Sequence, residues 1–387
     1  MSEVLFEITE ENLETGMRGI PTGYCTTSSV NPNKGLFYVG RPVSELANWE
    51  PENVIYLLFY GKEGSQEEVA DFSADLKRRS GCSAETIKHI RMLPKEGHPM
   101  QLFVCALMIA GMFEKTGDYE EDCKNIIAKV PVIVANLINS HAGWPEARAS
   151  NPGLSYMDNF AQMLNVPGAD IESLTSVFKL FNILHYDHGG GNLSVFVGKA
   201  VASGLQDMYG SCAAAMSALS GPRHGKANQD CLDFVKQVLE EVGEDATAEQ
   251  VKKLIRQRLT EKKLIYGFGH AVLRVEDPRA AVFYELAQKK YAEYPLVKIA
   301  LLLRSVVPKV LGENPKISDP FPNVDGISGT ILTAAGFPYP EYFTVLFGLS
   351  RVVGIARQVV YERCEARNGK GTPIMRPKYI YKGPSTN

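Results

Sequence analysis

From residue 51 onward, apolar side chains repeat at helical spacing in stretch after stretch, with helix-start residues ahead of them. Pro51 suits the first turn of a helix over 52–60. Ser65 with Glu68 makes a capping box for a helix ending near Arg79. Residues 99–115 are apolar on all sides and read as a buried helix. The pattern over 118–140 carries Pro131, which predicts a kink. Further helices are expected over 155–164, 171–185, 194–207, 211–219, 231–242, 249–262, 278–292, 295–311 and 341–367. Only 26–30 and 36–39, around the turn-rich Asn31-Pro32-Asn33-Lys34-Gly35, read as strands. The expected class is all-α with a minor N-terminal β-hairpin.

A chain of 387 residues is long for one compact core, so two domains are expected. Charge is concentrated in 229–320 and the flanking chain is more apolar, which points to a smaller domain inserted in a larger one. The formal net charge is −3 with no basic stripe, which argues against a nucleic-acid partner. Seven scattered cysteines without C-x-x-C spacing suit a reducing compartment and offer neither a disulfide framework nor a zinc site. The acidic N-terminus has no arginine before Arg18 and fits neither a secretory signal nor a transit peptide. The longest uncharged apolar run, 99–113, falls short of the ~18 residues of a membrane span. A cytoplasmic protein without a membrane partner is expected.

Several short motifs could carry chemistry. Gly221 and Pro222 break the helix that ends at Leu219, and His224 stands where the next begins. A helix N-terminus is positive, so an imidazole there stays neutral and can donate a hydrogen bond to a developing anion. Alone, that histidine reads as a satisfied interhelical residue. His185 and His188 share a helix face at i and i+3, which raises metal binding, but no clear third ligand follows. The glycines at 189–191 suit close backbone approach to a ligand or a neighbouring helix. His270 precedes a helix opened by Asp277-Pro278. Arg279, in its first turn, opposes the macrodipole, so an ion pair or a ligand is expected.

Asp325 follows a proline-rich loop and in isolation reads as an N-cap. Arg351 interrupts the apolar run 343–356, where a charge is costly unless paired. Arg376 stands in a polar tail. Neutral-capable histidines, an acid and several arginines together suit a substrate with two or more carboxylates, because guanidinium forks match carboxylates bidentately. The acid and histidines would then move protons beside it.

The segments HYDHGGGNLS (185–194), GPRHGKANQ (221–229), GFGHAVLRVEDPRA (267–280), PNVDGISG (322–329), TVLFGLSRVVG (344–354) and RPK (376–378) agree in order and spacing with one family. The chain resembles the citrate synthase family over nearly its whole length. His98-Pro99-Met100, Asn159-Phe160 and Met17-Arg18-Gly19 also look like family positions. The AVLR and NVD wording is more similar to the subgroup that includes mitochondrial enzymes than to the NADH-inhibited bacterial hexamers.

The resemblance implies a two-domain helical fold, with a large discontinuous domain at 1–225 and 337–387 and a small mobile one at 226–336. It implies that Asp325 removes a methyl proton from acetyl-CoA and that His224 donates a hydrogen bond to the thioester oxygen. His270 would polarise and protonate the carbonyl of oxaloacetate, and citryl-CoA would then be hydrolysed to citrate and CoA. His188, Arg279 and Arg351 would hold oxaloacetate, with Arg376 reaching in from the other subunit of a homodimer. Arg274 and Arg18 would contact CoA. No metal or redox cofactor is implied. Two positions depart from the family: Ser318 stands where some relatives have a CoA-contacting lysine, and Val39 replaces the arginine of a Tyr-Arg-Gly motif. A 2-methylcitrate synthase would use propionyl-CoA with the same residues, and one methylene is worth only ~1–3 kcal/mol of discrimination. A non-catalytic helical regulator would be expected to lose Asp325, His224 or His270, and all three are present.

Overall fold

The structure, a computed structural model, describes residues 4–222 and 224–383. Strands β1 (Ser28–Asn31) and β2 (Gly35–Tyr38) form the expected antiparallel hairpin, with Val30 opposite Leu36. The Asn31 side chain accepts from Asn33 N at 2.9 Å, and Gly35 at φ +95° completes the turn. A third strand, β3 (Arg41–Pro42), pairs with β2. Two residues, one a proline, leave no alternation from which it could be read.

Helices follow in unbroken order: α1 (Val43–Leu46), α2 (Pro51–Tyr60), α3 (Gln66–Arg79), α4 (Ala84–Arg91), α5 (Pro99–Glu114) and α6 (Tyr119–Ala142). Then come α7 (Tyr156–Leu164), α8 (Ile171–His185), α9 (Leu193–Ser203), α10 (Met208–Leu219), α11 (Ala227–Val242) and α12 (Ala248–Thr260). The last are α13 (Pro278–Lys290), α14 (Pro295–Leu311), α15 (Asp325–Ala334) and α16 (Phe343–Val360), which runs on into a π-helical turn at Tyr361–Glu365. The start signals work as the sequence implies. Ser65 and Glu68 make their capping box on α3, and Asp118 accepts from Glu120 N and Glu121 N, both at 2.9 Å. Such caps are worth about 1 kcal/mol each. α6 continues through Pro131. α4 goes unread in the sequence although Ser83 caps it, because eight residues with two buried side chains make a weak periodic signal.

α16 is the central helix. It packs against α2, α5, α6, α8, α9 and α10, and its side chains are buried except at Arg357. The stretch Pro340–Glu365 is long and apolar enough to cross a membrane, yet 94% of that window is buried within the protein, as in a core helix. α10 lies between α5 and α9, where small residues permit close approach. A Cβ on Gly198, for example, would stand 3.2 Å from both Ala215 and Ile355. Helices α11 to α15 pack largely on one another and meet the rest through α15 on α8, α11 on α16 and α13 on α1. Along that junction lie the end of α8, the start of α15 and the middle of α16.

Candidate active site

α8 ends at His185, and the chain turns through Tyr186 and Asp187 to His188. Tyr38 of β2 pins this turn: its hydroxyl donates to Ile183 O at 3.0 Å and accepts from Asp187 N at 3.3 Å. The buried Asp187 carboxylate accepts from Thr27, from Ser28 Oγ at 2.7 Å and from Gln358 Nε2 at 3.0 Å. Gly354 lets α16 come this close, since a Cβ there would lie 2.5 Å from Tyr186 O and 2.6 Å from the Asp187 carboxyl. His188 thus stands on a turn anchored from both sides.

The two histidines of the i, i+3 pair part company. His185 Nδ1 donates to Phe181 O at 2.7 Å, and its ring stacks on Phe181 with centroids 4.1 Å apart. His188 instead faces His270, ring centroids 5.5 Å apart, and its Nε2 is buried without a partner among the described residues. Burial, then Arg279 and Arg351, hold His188 well below the ordinary histidine range, so the ring is neutral. Among the described residues no three His, Cys, Asp or Glu side chains gather as metal ligands.

Arg351 is fully buried in α16. Its Nε donates to His185 O at 2.8 Å and its guanidinium lies 4.7 Å from the Phe347 ring centroid. Nη1 is buried without a partner, and among the described residues no carboxylate pairs with this arginine. Burial pulls its pKa down to about 10. The structural ion pair that would account for a buried arginine is not what holds it. Arg279, in the first turn of α13, is paired: Asp277 caps the helix by accepting Arg279 N at 3.0 Å and also takes Nη2 at 2.7 Å. The capping carboxylate offsets the clash between guanidinium and macrodipole.

His270 Nδ1 accepts from Val272 N at 3.0 Å and Leu273 N at 2.9 Å. Backbone N–H groups can only donate, so the neutral ring carries its proton on Nε2. Burial, followed by Arg279, lowers its pKa to about 4. Asp325 corrects the sequence reading: the N-cap of α15 is Val324, and Asp325 is its first helical residue with a carboxylate free of capping duty. Burial pushes that carboxyl up to about 6, against the pull of Arg279 and Arg351.

His224 also needs a correction. It lies in a turn, and α11 begins only at Ala227, so the helix start does not hold it. Its Nε2 accepts from Ser194 N, in the first turn of α9, at 3.3 Å, with Ser194 Oγ at 3.0 Å. The proton therefore sits on Nδ1. Burial, then Arg351, lowers its pKa to about 4. The ring is neutral as expected, for a different reason.

His188, His224, His270, Arg279, Arg351 and Asp325 thus form one electrostatic neighbourhood. Arg18 and Arg376 are exposed in the terminal segments, and neither is among the charges that act on these site groups. Arg274 is exposed on the His270 loop, where its Nη1 donates to Leu273 O at 2.7 Å. Asp187, Ser194 and Asn323 escape the sequence reading, with adjacency to the histidine and aspartate motifs as their only signal. A cavity of about 1080 Å³ between α7, α8 and α13 is lined by none of the candidate residues.

The sequence model for citrate synthase, C-terminal domain, matches residues 16–378. Citrate synthase 4, mitochondrial, of Arabidopsis thaliana is 37% identical over 97% of this chain and 83% of its own length. Mitochondrial citrate synthase of Daucus carota is 36% identical over the same shares. Among solved structures, Thermoplasma acidophilum citrate synthase in a ternary complex with carboxymethyl coenzyme A and oxaloacetate superposes with a TM-score of 0.82. It shares 25% identity over 96% of each chain. Both plant relatives are named mitochondrial, so the cytoplasmic location expected from the N-terminal residues does not stand. An organelle address is a receptor-read signal, and bulk charge near the N-terminus is a poor guide to it. The helical architecture, the ordered motifs and this similarity over nearly every residue agree: the chain belongs to the citrate synthase family.

Proposed function

We propose that Asp325, His224 and His270 carry out the family's reaction, the condensation of acetyl-CoA with oxaloacetate and hydrolysis of citryl-CoA to citrate and CoA. One observation carries the assignment of the oxaloacetate position: Arg351 is fully buried, unpaired by any carboxylate among the described residues, with Nη1 free to bind one. A dicarboxylate would complete it bidentately, with Arg279 and His188 beside it. Methyl protons of a thioester are weakly acidic, so the base must be strong yet ionised at neutral pH. A carboxylate displaced to about 6 meets both demands. The Nδ1–H of His224 would stabilise the enolate oxygen, a contribution of typically ~3 kcal/mol. The Nε2–H of His270 would polarise and protonate the ketone oxygen as the carbon bond forms. Base, enolate stabiliser and acid are all side chains in this reading, which requires neither a metal nor a redox cofactor.

The same proposal takes 226–336 as a small domain that closes on the large one, supported by the mutual packing of α11 to α15. It also takes the enzyme as a homodimer. Exposed Met108, Met112 and Phe113 on α5, with Leu193 and Leu205 around α9, offer an apolar surface for a second copy. Arg376 would act in the partner's site, and Arg274 and Arg18 would meet CoA. Thiol release with oxaloacetate and acetyl-CoA tests the chemistry: full activity in Asp325→Ala would sink it. The ratio of kcat/KM for acetyl-CoA to that for propionyl-CoA separates the two acyl donors. Mixing Asp325→Ala with Arg376→Ala chains tests the dimer. Random pairing of two such chains regenerates about a quarter of the native sites if Arg376 acts in trans, and none if it acts within its own chain.

A further inference from the structure

We infer that Asn323 is a positioning residue that ties the loop carrying His270 to the helix start carrying Asp325, so that the two keep one fixed separation. This rests on the roles proposed above. Its Nδ2 donates to Gly269 O at 2.9 Å, immediately before His270, and its Oδ1 accepts from Asp325 N at 3.1 Å. Its own N–H donates to Gly267 O at 3.0 Å. Using both ends of the side chain in this way requires an amide, because an ionised carboxylate cannot donate.

The surrounding backbone makes the two segments one body. Gly269 N donates to Phe321 O at 2.9 Å, Asp277 N donates to Pro322 O at 3.1 Å, and Phe268 bridges Pro322 in antiparallel fashion. Gly267 takes φ +81°, and a Cβ on it would lie 2.5 Å from Gly326 Cα. The main chains touch where any side chain would separate them.

Carbon–carbon bond formation needs both groups in register, since the enol made at Asp325 must meet a carbonyl polarised at His270. Making the enol needs only Asp325 and His224. Loosening the Gly269 arm should therefore slow condensation while leaving enolisation nearly intact, because misplacement by ~1 Å can cost ~10²-fold.

Both rates can be read at pH 8. Enolisation is followed as exchange of acetyl-CoA methyl protons in D2O with (S)-malate, a hydroxy diacid that has no ketone to attack. Condensation is followed as CoA release with oxaloacetate. In Asn323→Ala, which loses both arms, kcat for condensation should fall about 30–100-fold and exchange by less than about tenfold. The KM for oxaloacetate should hold, since His188, Arg279 and Arg351 keep that site. Asn323→Asp retains the acceptor for Asp325 N but cannot donate to Gly269 O. It should show the cleaner split, with exchange within about threefold of wild type and its acid limb moved to higher pH by a second carboxylate. Equal losses in both rates, or no loss in either, would overturn the inference. If Asn323→Ala does not fold, the two rates in Asn323→Asp decide the matter alone. A wild-type chain inactive in both assays would instead overturn the proposed function.

Discussion

Replacing Asp325 by asparagine should abolish turnover and at the same time stabilise the fold, by an amount that grows with pH. The carboxyl moves from 3.8 to about 6 on folding, burial outweighing Arg279 and Arg351. A raised folded value means that the folded chain holds the proton more tightly than the unfolded one. Its contribution to stability is full below 3.8 and is lost as pH rises through about 6. At 1.36 kcal/mol per pH unit, the loss is about 0.5 kcal/mol at pH 4, about 1.6 at pH 5 and about 3 at pH 7.5. Asparagine keeps the shape without the charge and escapes it. For a chain of this length, 1 kcal/mol corresponds to roughly 1 °C in Tm. Thermal unfolding of both chains should show a gap that opens through the acid range to about 3 °C and is flat above about pH 7. A gap that does not change with pH, or a variant less stable than wild type at pH 7.5, would refute the reasoning. In the wild type, kcat/KM for acetyl-CoA should fall tenfold per unit below about pH 6.

His224→Ala should lower kcat about 10²–10³-fold with little change in the KM for oxaloacetate; steady-state kinetics check it, and a KM effect of similar size would place the ring in substrate binding instead. Arg351→Met removes a buried charge that lacks a carboxylate partner among the described residues, so Tm should rise while the KM for oxaloacetate rises about 10²-fold, from about 2–3 kcal/mol of lost charge-assisted bonding. Gly267→Ala meets both a positive φ and the Gly326 main chain, and should cost at least about 2 kcal/mol in chemical denaturation along with most activity.

The helical architecture is legible because its signals are local: caps, prolines and the 3.6 period sit within a few residues of the elements they define. α8 begins and ends where that period predicts, at Ile171 and His185. What escapes is what depends on distant partners. His224 could be read as neutral, but the Ser194 N–H that sets its tautomer lies thirty residues earlier in the chain. Asp325 read as a cap because an acid before an apolar helix usually is one. Its release from that duty follows from the Asn323 and Gly267 contacts that place Val324 at the cap instead. That Arg351 has no carboxylate partner among the described residues is likewise a property of three dimensions, since Glu and Asp are plentiful along the chain.

The proton positions on the two imidazoles are set by peptide groups: Ser194 N for His224, and Val272 N with Leu273 N for His270. A peptide N–H belongs to every residue type except proline. At 272 and 273 it is therefore the path of the main chain, and not the identity of the side chain, that decides which nitrogen of His270 is armed. Proline at 194, 272 or 273 would remove one of these donors whatever its side chain packs against, and is the change such a site could not absorb.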